Sequence, residues 1–246
     1  MTRAEPPVRP TPGATISQPS AALPTDAAST NGPLRSSTAL PPLEDQARRL
    51  IDLALHALAG LTAQQLHDAA AQWGSERTDA LLVIDPALAP PSDLIPLLRR
   101  GEKPGFVVED MTDVDAFAPT GVELPTGPLY LVEGLDRGDE FENASPAEAL
   151  AALTAAGRTP LLLTEGIHWA LQHPDIIERN HCFMTIGSRQ RKPNGALDSR
   201  TPALWISNGT GRDGTHRKDA PKLGWCWWNN RHTWLGIASA ARRSAG

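Results

Sequence analysis

Cysteine is scarce in this chain of 246 residues: only Cys182 and Cys226 occur, far apart in sequence. Neither belongs to a Cys-x-x-Cys pair, which argues against a cysteine-rich zinc site and a disulfide-stapled scaffold. A reducing cytoplasm is the compartment expected. No apolar run approaches the length of about 18 residues that a membrane-spanning helix needs, so no membrane partner is expected. The arginines near the N-terminus are not followed by an apolar stretch, so no secretory signal is expected. Two phosphate-binding fingerprints are also missing. There is no GxxxxGK[ST], and no GxGxxG that opens a helix. With 40% hydrophobic residues the chain still suffices for one full core.

The charge that is present is unevenly placed. Leu43–Ala147 carries 19 acids against 7 bases, and Glu148–Gly246 carries 13 bases against 7 acids. Two explanations stand side by side. The C-terminal part meets an anion, or the two parts pack together and neutralise each other.

Met1–Pro42 is rich in Pro, Ala and Ser without apolar periodicity, and is expected to be a disordered tail. Residues 43–240 are expected to form one globular domain, with 241–246 as a disordered end. Leu43–Gly60 places Leu43, Ala47, Leu50, Ile51, Ala54, Leu55 and Leu58 at helical spacing. Thr62 with Gln65, and Ser145-Pro146 with Glu148, are capping boxes that start two more helices. Ser92 is expected to cap a helix to Arg100, and Thr164 one to Gln172. Apolar runs at Ala80–Ile84, Gly105–Met111, Leu129–Val132, Thr159–Leu163 and from Cys182 predict strands. The fold class expected is α/β or α+β, a single domain with N-terminal helices on a mixed sheet whose C-terminal strands are antiparallel.

The chemistry concentrates between Asn180 and Ala240, which holds five of the seven Trp, three of the seven His and nine of the 23 Lys and Arg. Around Asn208 the chain runs NGTGRDGTHRKDAP. Gly209, Gly211 and Gly214 permit a backbone with positive φ, and Arg212, His216, Arg217 and Lys218 add donors. Such a loop suits a phosphate or carboxylate. The expected ligand-binding set is Asn208, Arg212, Asp213, His216, Arg217, Asn230 and Arg231, with His168, His216 and His232 as candidate acid–base groups because imidazole titrates near neutrality. In GWCWWNNRHTW, alternation places Trp225 and Trp227 on one side and Trp228 on the other. Indoles beside Asn and Arg suit stacking on bases or sugars, and suit a core equally.

Glu165-x-x-His168 and Glu178-x-x-His181 both fit the pattern that holds di-metal centres in helical bundles. The second copy falls beyond Pro174, off the helix, and no further carboxylate-bearing helices are evident. No metal is assigned, and no cofactor. Cys182 has Glu178, His181 and arginines near it, as an activated thiol requires, but a cysteine heading an apolar strand is more often a buried small hydrophobe.

The segments TEGIHWALQHPDIIERNHCFMTIGSR, PALWISNGTGRDG and GWCWWNNRHTWLG resemble the hallmark segments of an actinobacterial family of uncharacterised proteins, from about Leu43 to the C-terminus. The resemblance implies one cytoplasmic bacterial domain and transfers no functional residue. The residues themselves point to a protein that binds a small anionic or nucleotide-like ligand through its basic C-terminal loops. A single-stranded nucleic-acid binder is the alternative, which a pI of 5.8 disfavours. A protein-interaction module without a catalytic site is the other.

Overall fold

Thr62 and Ser145 each open a helix by the mechanism their neighbours provide. In the computed structural model, which describes residues 39–246, Thr62 N donates to Gln65 Oε1 (2.8 Å) and Gln65 N donates back to Thr62 Oγ1 (3.2 Å). Ser145 and Glu148 make the same reciprocal pair, with Pro146 at the first helical position, where no N–H is needed. The N-terminal helices are α1 (Leu43–Asp52), α2 (Leu55–Leu58) and α3 (Ala63–Trp73). The single helix expected up to Gly60 is interrupted at Ala54, which takes φ 58° and turns Leu55 into the core.

Strand β1 (Ala80–Ile84) follows, then α4 (Pro91–Leu94), β2 (Arg99–Arg100), β3 (Lys103–Pro104), β4 (Phe106–Val107), β5 (Phe117–Pro119) and β6 (Leu129–Glu133). Next come α5 (Pro146–Ala155), β7 (Thr159–Pro160), α6 (Leu163–Gln172), β8 (Cys182–Met184), β9 (Ser188–Gln190), β10 (Arg200–Ile206), β11 (Pro221–Trp227), β12 (Leu235–Ile237), β13 (Ser239–Ala240) and β14 (Arg242–Ser244). The described residues fall in one compact unit of α+β class.

Two sheets dominate. One is antiparallel, in the order β1-β6-β14; the other is mixed, in the order β12-β8-β10-β11-β4. Its outer pairs, β12 with β8 and β11 with β4, are parallel, while β8, β10 and β11 run antiparallel. Helix α1 lies against β1 of the antiparallel sheet.

Helix α6 joins the two sheets, and every one of its ten residues is buried. Gly166 lets the mixed sheet come close. A Cβ there would lie 2.6 Å from Thr185 Cγ2 and 3.0 Å from Phe183 Cε2. Trp169 stacks on Phe183 with centroids 5.6 Å apart. Towards the other sheet, Glu165 accepts from Tyr130 of β6 (3.0 Å) and from Arg243 of β14 (2.6 Å to each oxygen).

Several expected boundaries move for identifiable reasons. Helix α6 begins before Thr164, because Leu162 N finds Glu165 Oε2 and Leu163 N finds Ser188 Oγ, so Thr164 is not needed as a cap. The preceding strand shrinks to Thr159–Pro160. Ser92 does not cap a long helix. Asp115 takes both its N–H and its hydroxyl (2.9 and 2.7 Å), and Arg99–Arg100 turns back on Lys103–Pro104 through Gly101 and Glu102. The expected tail lies, up to residue 38, outside the described residues. Its last part belongs to the domain: Leu40 is buried and its N–H donates to Thr78 O. The end at 241–246 is likewise corrected. Residues Arg242–Ser244 pair with β6, because Glu133 and Glu165 bind the two arginines.

Candidate functional site

The basic loop after β10 is held by its own polar groups. Gly209, Gly211 and Gly214 take φ of 71°, 60° and 69°, as the glycine spacing required. Asp213 is buried and accepts from Ser207 Oγ and Lys222 Nζ, both at 2.7 Å, while Ser207 Oγ accepts from Gly209 N (3.1 Å). Arg212 is exposed and stands 3.5 Å from Asp110. Arg217 lies over the Phe106 ring at 4.6 Å and 3.8 Å from Glu109. His216 is exposed, and its carbonyl accepts from Lys103 Nζ (3.3 Å).

These contacts decide part of the charge asymmetry. Arg200 meets Asp113, Arg212 meets Asp110, Arg217 meets Glu109 and Arg242 meets Glu133. At these four pairs the basic half neutralises the acidic half, as the plainer of the two explanations requires.

A different set of cations is left largely uncompensated. Arg99, Arg100 and Lys103 sit on the β2–β3 hairpin, and Arg179 follows the turn after α6. Arg99 and Arg100 line a shallow crevice whose free space, counted with the open volume above it, is about 230 Å³, and Arg179 reaches the same Asp219 as Arg100. The crevice floor is apolar: Ala170, Pro174, Ile177, Ile206 and Pro221. Arg179 donates to Asn208 Oδ1 and to Asp219 Oδ1, and Arg100 stands 4.0 Å from the same Asp219 oxygen. Lys103 Nζ donates to the carbonyl of Lys218 at 2.5 Å. Among the described residues Asp219 is the one carboxylate in ion-pair reach of these four cations. The Arg179 guanidinium holds its carboxyl below the usual range, and Lys218 and Arg100 add to that. Asp219 also takes φ 69°, a left-handed conformation that aspartate and asparagine adopt more readily than other non-glycine residues.

A family profile spans residues 49–246 of this chain. The chain belongs to DUF5701, a family of unknown function. No curated protein and no solved structure matches it. Among the described residues of this DUF5701 chain, no helix is long and apolar enough to cross a membrane.

The residues expected to form one site are distributed over three places. Asn208, Arg212, Asp213, His216 and Arg217 lie in the loop before β11; of them the Asn208 side chain reaches Arg179, and His216 meets Lys103 through its carbonyl alone. Asn230, Arg231 and His232 follow the other end of that seven-residue strand, about 20 Å away at 3.3 Å per residue. There Arg231 pairs with Glu148, and His232 packs edge-on against Trp234 with centroids 5.7 Å apart. His168 is fully buried in α6. Its Nδ1 donates to Thr164 O (2.8 Å) and its Nε2 accepts from Ile84 N (3.4 Å). Burial lowers its pKa to about 4, so it is a neutral structural imidazole.

The two Glu-x-x-His pairs do not converge either. Glu165 is held by Arg243 and Tyr130. His181 instead joins Asp139 and Glu142, whose ligand atoms lie within 4.8 Å of one another, but Arg137 donates into that cluster, 2.9 Å from Asp139 and against His181 Nε2. A guanidinium there takes the place a cation would need. Cys182 donates to Glu178 O (2.8 Å), and burial pushes its thiol up to about 11, the reverse of an activated nucleophile.

Sequence reasoning passed over Arg99 and Arg100 because it placed them at the end of a helix, and it gave Lys103 no role. The signal was the short RRGEKP run, in which Gly101 supplies the positive φ of a two-residue hairpin turn.

Proposed function

We propose that the protein binds a small anionic ligand in the crevice between the β2–β3 hairpin, the turn after α6 and the loop from Asn208 to Asp219. One observation carries the reading: Arg99 and Arg100 line an apolar floor, and Arg100 and Arg179 share a single carboxylate, Asp219. Asp219 stands where an anion's oxygen would go. Arginine presents its donors in a fork that fits two oxygens of a carboxylate or phosphate. The enclosed space is only about 10 Å³, room for about one water, so the anion lies in the open groove above the apolar floor. Of the residues expected beforehand, Asn208 belongs to this reading. It assigns binding and no reaction. The two cysteines are unpaired and buried, which supports a reducing, cytoplasmic setting.

The test uses two substitutions of opposite sign. In calorimetric titrations with inorganic phosphate and with citrate, Arg179→Ala weakens binding at least tenfold. Asp219→Asn strengthens it, because a competing carboxylate is gone and Asn tolerates the same backbone. If the two variants shift affinity in the same direction, or neither shifts it, the crevice is not the site.

A second reading, single-stranded nucleic acid, has one observation in its favour. Trp227 is 45% exposed and packs edge-on against Trp225, with centroids 4.5 Å apart, opposite Arg200 in the ladder. Binding of an oligonucleotide that falls steeply with salt and is lost in Trp227→Ala favours it over the crevice.

A further inference from the structure

Arg189 retains 6% of its exposure and carries its charge into the far end of the β10–β11 ladder from the crevice. Strand alternation sets its direction. Ser188 turns inward, where its Oγ accepts from Leu163 N at the start of α6, so Arg189 projects to the outer face of the mixed sheet. There its guanidinium lies over the Trp228 indole, 3.9 Å from the ring centroid. One N–H reaches the carbonyl of Asp198. The carboxylate of Asp198 is engaged elsewhere, by Arg200 at 3.2 Å and Lys192 at 3.9 Å. Among the described residues no carboxylate comes within ion-pair distance of Arg189, and its Nε–H is buried without an acceptor. Burial accordingly holds its pKa below the usual arginine range, with Asp198 offsetting only part.

Other unmatched groups lie on the same face. Leu204 faces α6 through Gly166, so Thr201, Ala203 and Trp205 face outward. Thr201 Oγ1 is buried without a partner, and so is His232 Nε2. Trp205 meets Trp234 edge-on at 6.1 Å, and Trp234 meets His232. All three are half-buried, as is Trp228. The Arg189–Trp228 stack lies at the Ser199 end of β10, near Thr201, and the Trp205–Trp234–His232 rings lie towards its Ile206 end.

We propose that this outer face binds the oxyanion of a small molecule, a carboxylate or a phosphoryl group, with Arg189 as the anchor, the Thr201 hydroxyl as a further donor and the indoles beside its apolar body. The stack on Trp228 fixes the guanidinium plane and leaves its edge to meet two oxygens. A cation is repelled here, and a neutral ligand leaves the buried charge unmatched. The Arg189 anchor stands apart from the crevice by about the length of β10, roughly 20 Å, whereas Trp205 lies at the end of β10 that borders it.

The experiment uses the full chain carrying Arg179→Ala, so that the crevice is silent. Benzoate and inorganic phosphate are titrated separately at fixed ionic strength set with sodium chloride, and thermal unfolding and tryptophan fluorescence are followed. One of the two probes is expected to raise Tm by roughly 3–6 °C at ten times its Kd. A response to benzoate marks a ring-bearing carboxylate, and a response to phosphate marks a phosphoryl group. Adding Arg189→Met removes the response and leaves the unliganded Tm at or above its parent, because a buried unpaired charge has gone. Thr201→Val, close to isosteric, weakens the response about tenfold and decides the matter should Arg189→Met fail to fold. No shift with either probe overturns the proposal, as does a shift that survives Arg189→Met or, where that variant does not fold, Thr201→Val.

Discussion

Arg243 and Glu165, 78 residues apart in sequence, form a two-pronged ion pair in which each contact is 2.6 Å and both side chains are almost wholly buried. Thr159 Oγ1 (2.6 Å) and Pro160 O (3.0 Å) take further N–H groups of the arginine, while Tyr130 and Leu162 N satisfy the carboxylate. Burial and the Glu165 carboxylate together push the Tyr130 hydroxyl well above its usual range, so it stays a donor. Removing one partner strands the other charge, so Arg243→Ala is expected to cost about 3–5 kcal/mol in urea unfolding. Truncation after Ala241 costs at least as much. Arg243→Met with Glu165→Leu recovers only part of the loss, because apolar groups of similar size replace the pair but the Tyr130 hydroxyl and the Leu162 N–H lose their acceptor. A truncated chain as stable as the parent refutes this role for β14.

His168 makes stability depend on acidity. The imidazole titrates near 6.5 when unfolded and near 4 in its buried place. Between those values the unfolded chain holds the extra proton, so stability falls as pH drops from above 6.5 towards 4. The full gap corresponds to about 3 kcal/mol. His168→Gln keeps a donor for Thr164 O and cannot titrate. Its stability is expected to change less between pH 7 and pH 4.5 than that of the parent, when both are unfolded by urea. Parallel curves refute the assignment.

Much of the fold was legible where the signal was local. The boxes Thr62–Gln65 and Ser145–Glu148 need only neighbours three residues apart, and β1 needs only its own apolar run. What was not legible depends on distant partners. Glu165 looked like half of a metal motif because its partner, Arg243, lies in a short polar end with no periodicity. Asp213 looked like a ligand group, yet Lys222 and Ser207 bury it. The acidic partners of Arg200, Arg212 and Arg217 all precede them by about 90 residues or more, and sequence reasoning had no rule to pair them. Of the expected site, only the loop conformation at Gly209–Gly214 was read from local residue types.

The cysteines are predicted to be unreactive in the native state. Burial pushes Cys182 up to about 11 and Cys226 up to about 12. At pH 8 the first is thiolate in roughly one molecule in a thousand, and the thiolate is the form that attacks. Labelling with a disulfide reagent at pH 8 is expected to require unfolding and to speed up in parallel with urea. Fast stoichiometric labelling of Cys182 in the folded protein refutes the burial and reopens it as a nucleophile.

Gln46 occupies a place in the apolar stripe of α1, between Leu43, Ala47 and Leu50, and is itself fully buried. Its amide serves β1 as a missing neighbour strand would. Nε2 donates to Ala80 O (2.9 Å) and Pro41 O (2.8 Å), and Oε1 accepts from Leu82 N (2.9 Å). Gln172 of α6 donates to the Gln46 carbonyl (3.1 Å), which ties α1 to the central helix as well. Gln46→Leu fits the volume but leaves a strand N–H and two carbonyls unpaired. At about 1–3 kcal/mol for each buried group left without a partner, a loss of several kcal/mol is expected. Gln46→Glu keeps the acceptor for Leu82 N and turns a carboxylate oxygen towards two carbonyls. Its loss relative to the parent should therefore be larger at pH 7 than at pH 5, where the protonated acid donates again. A Gln46→Leu chain within 1 kcal/mol of the parent in urea shows that water reaches the edge of β1 and that the amide is not what closes it.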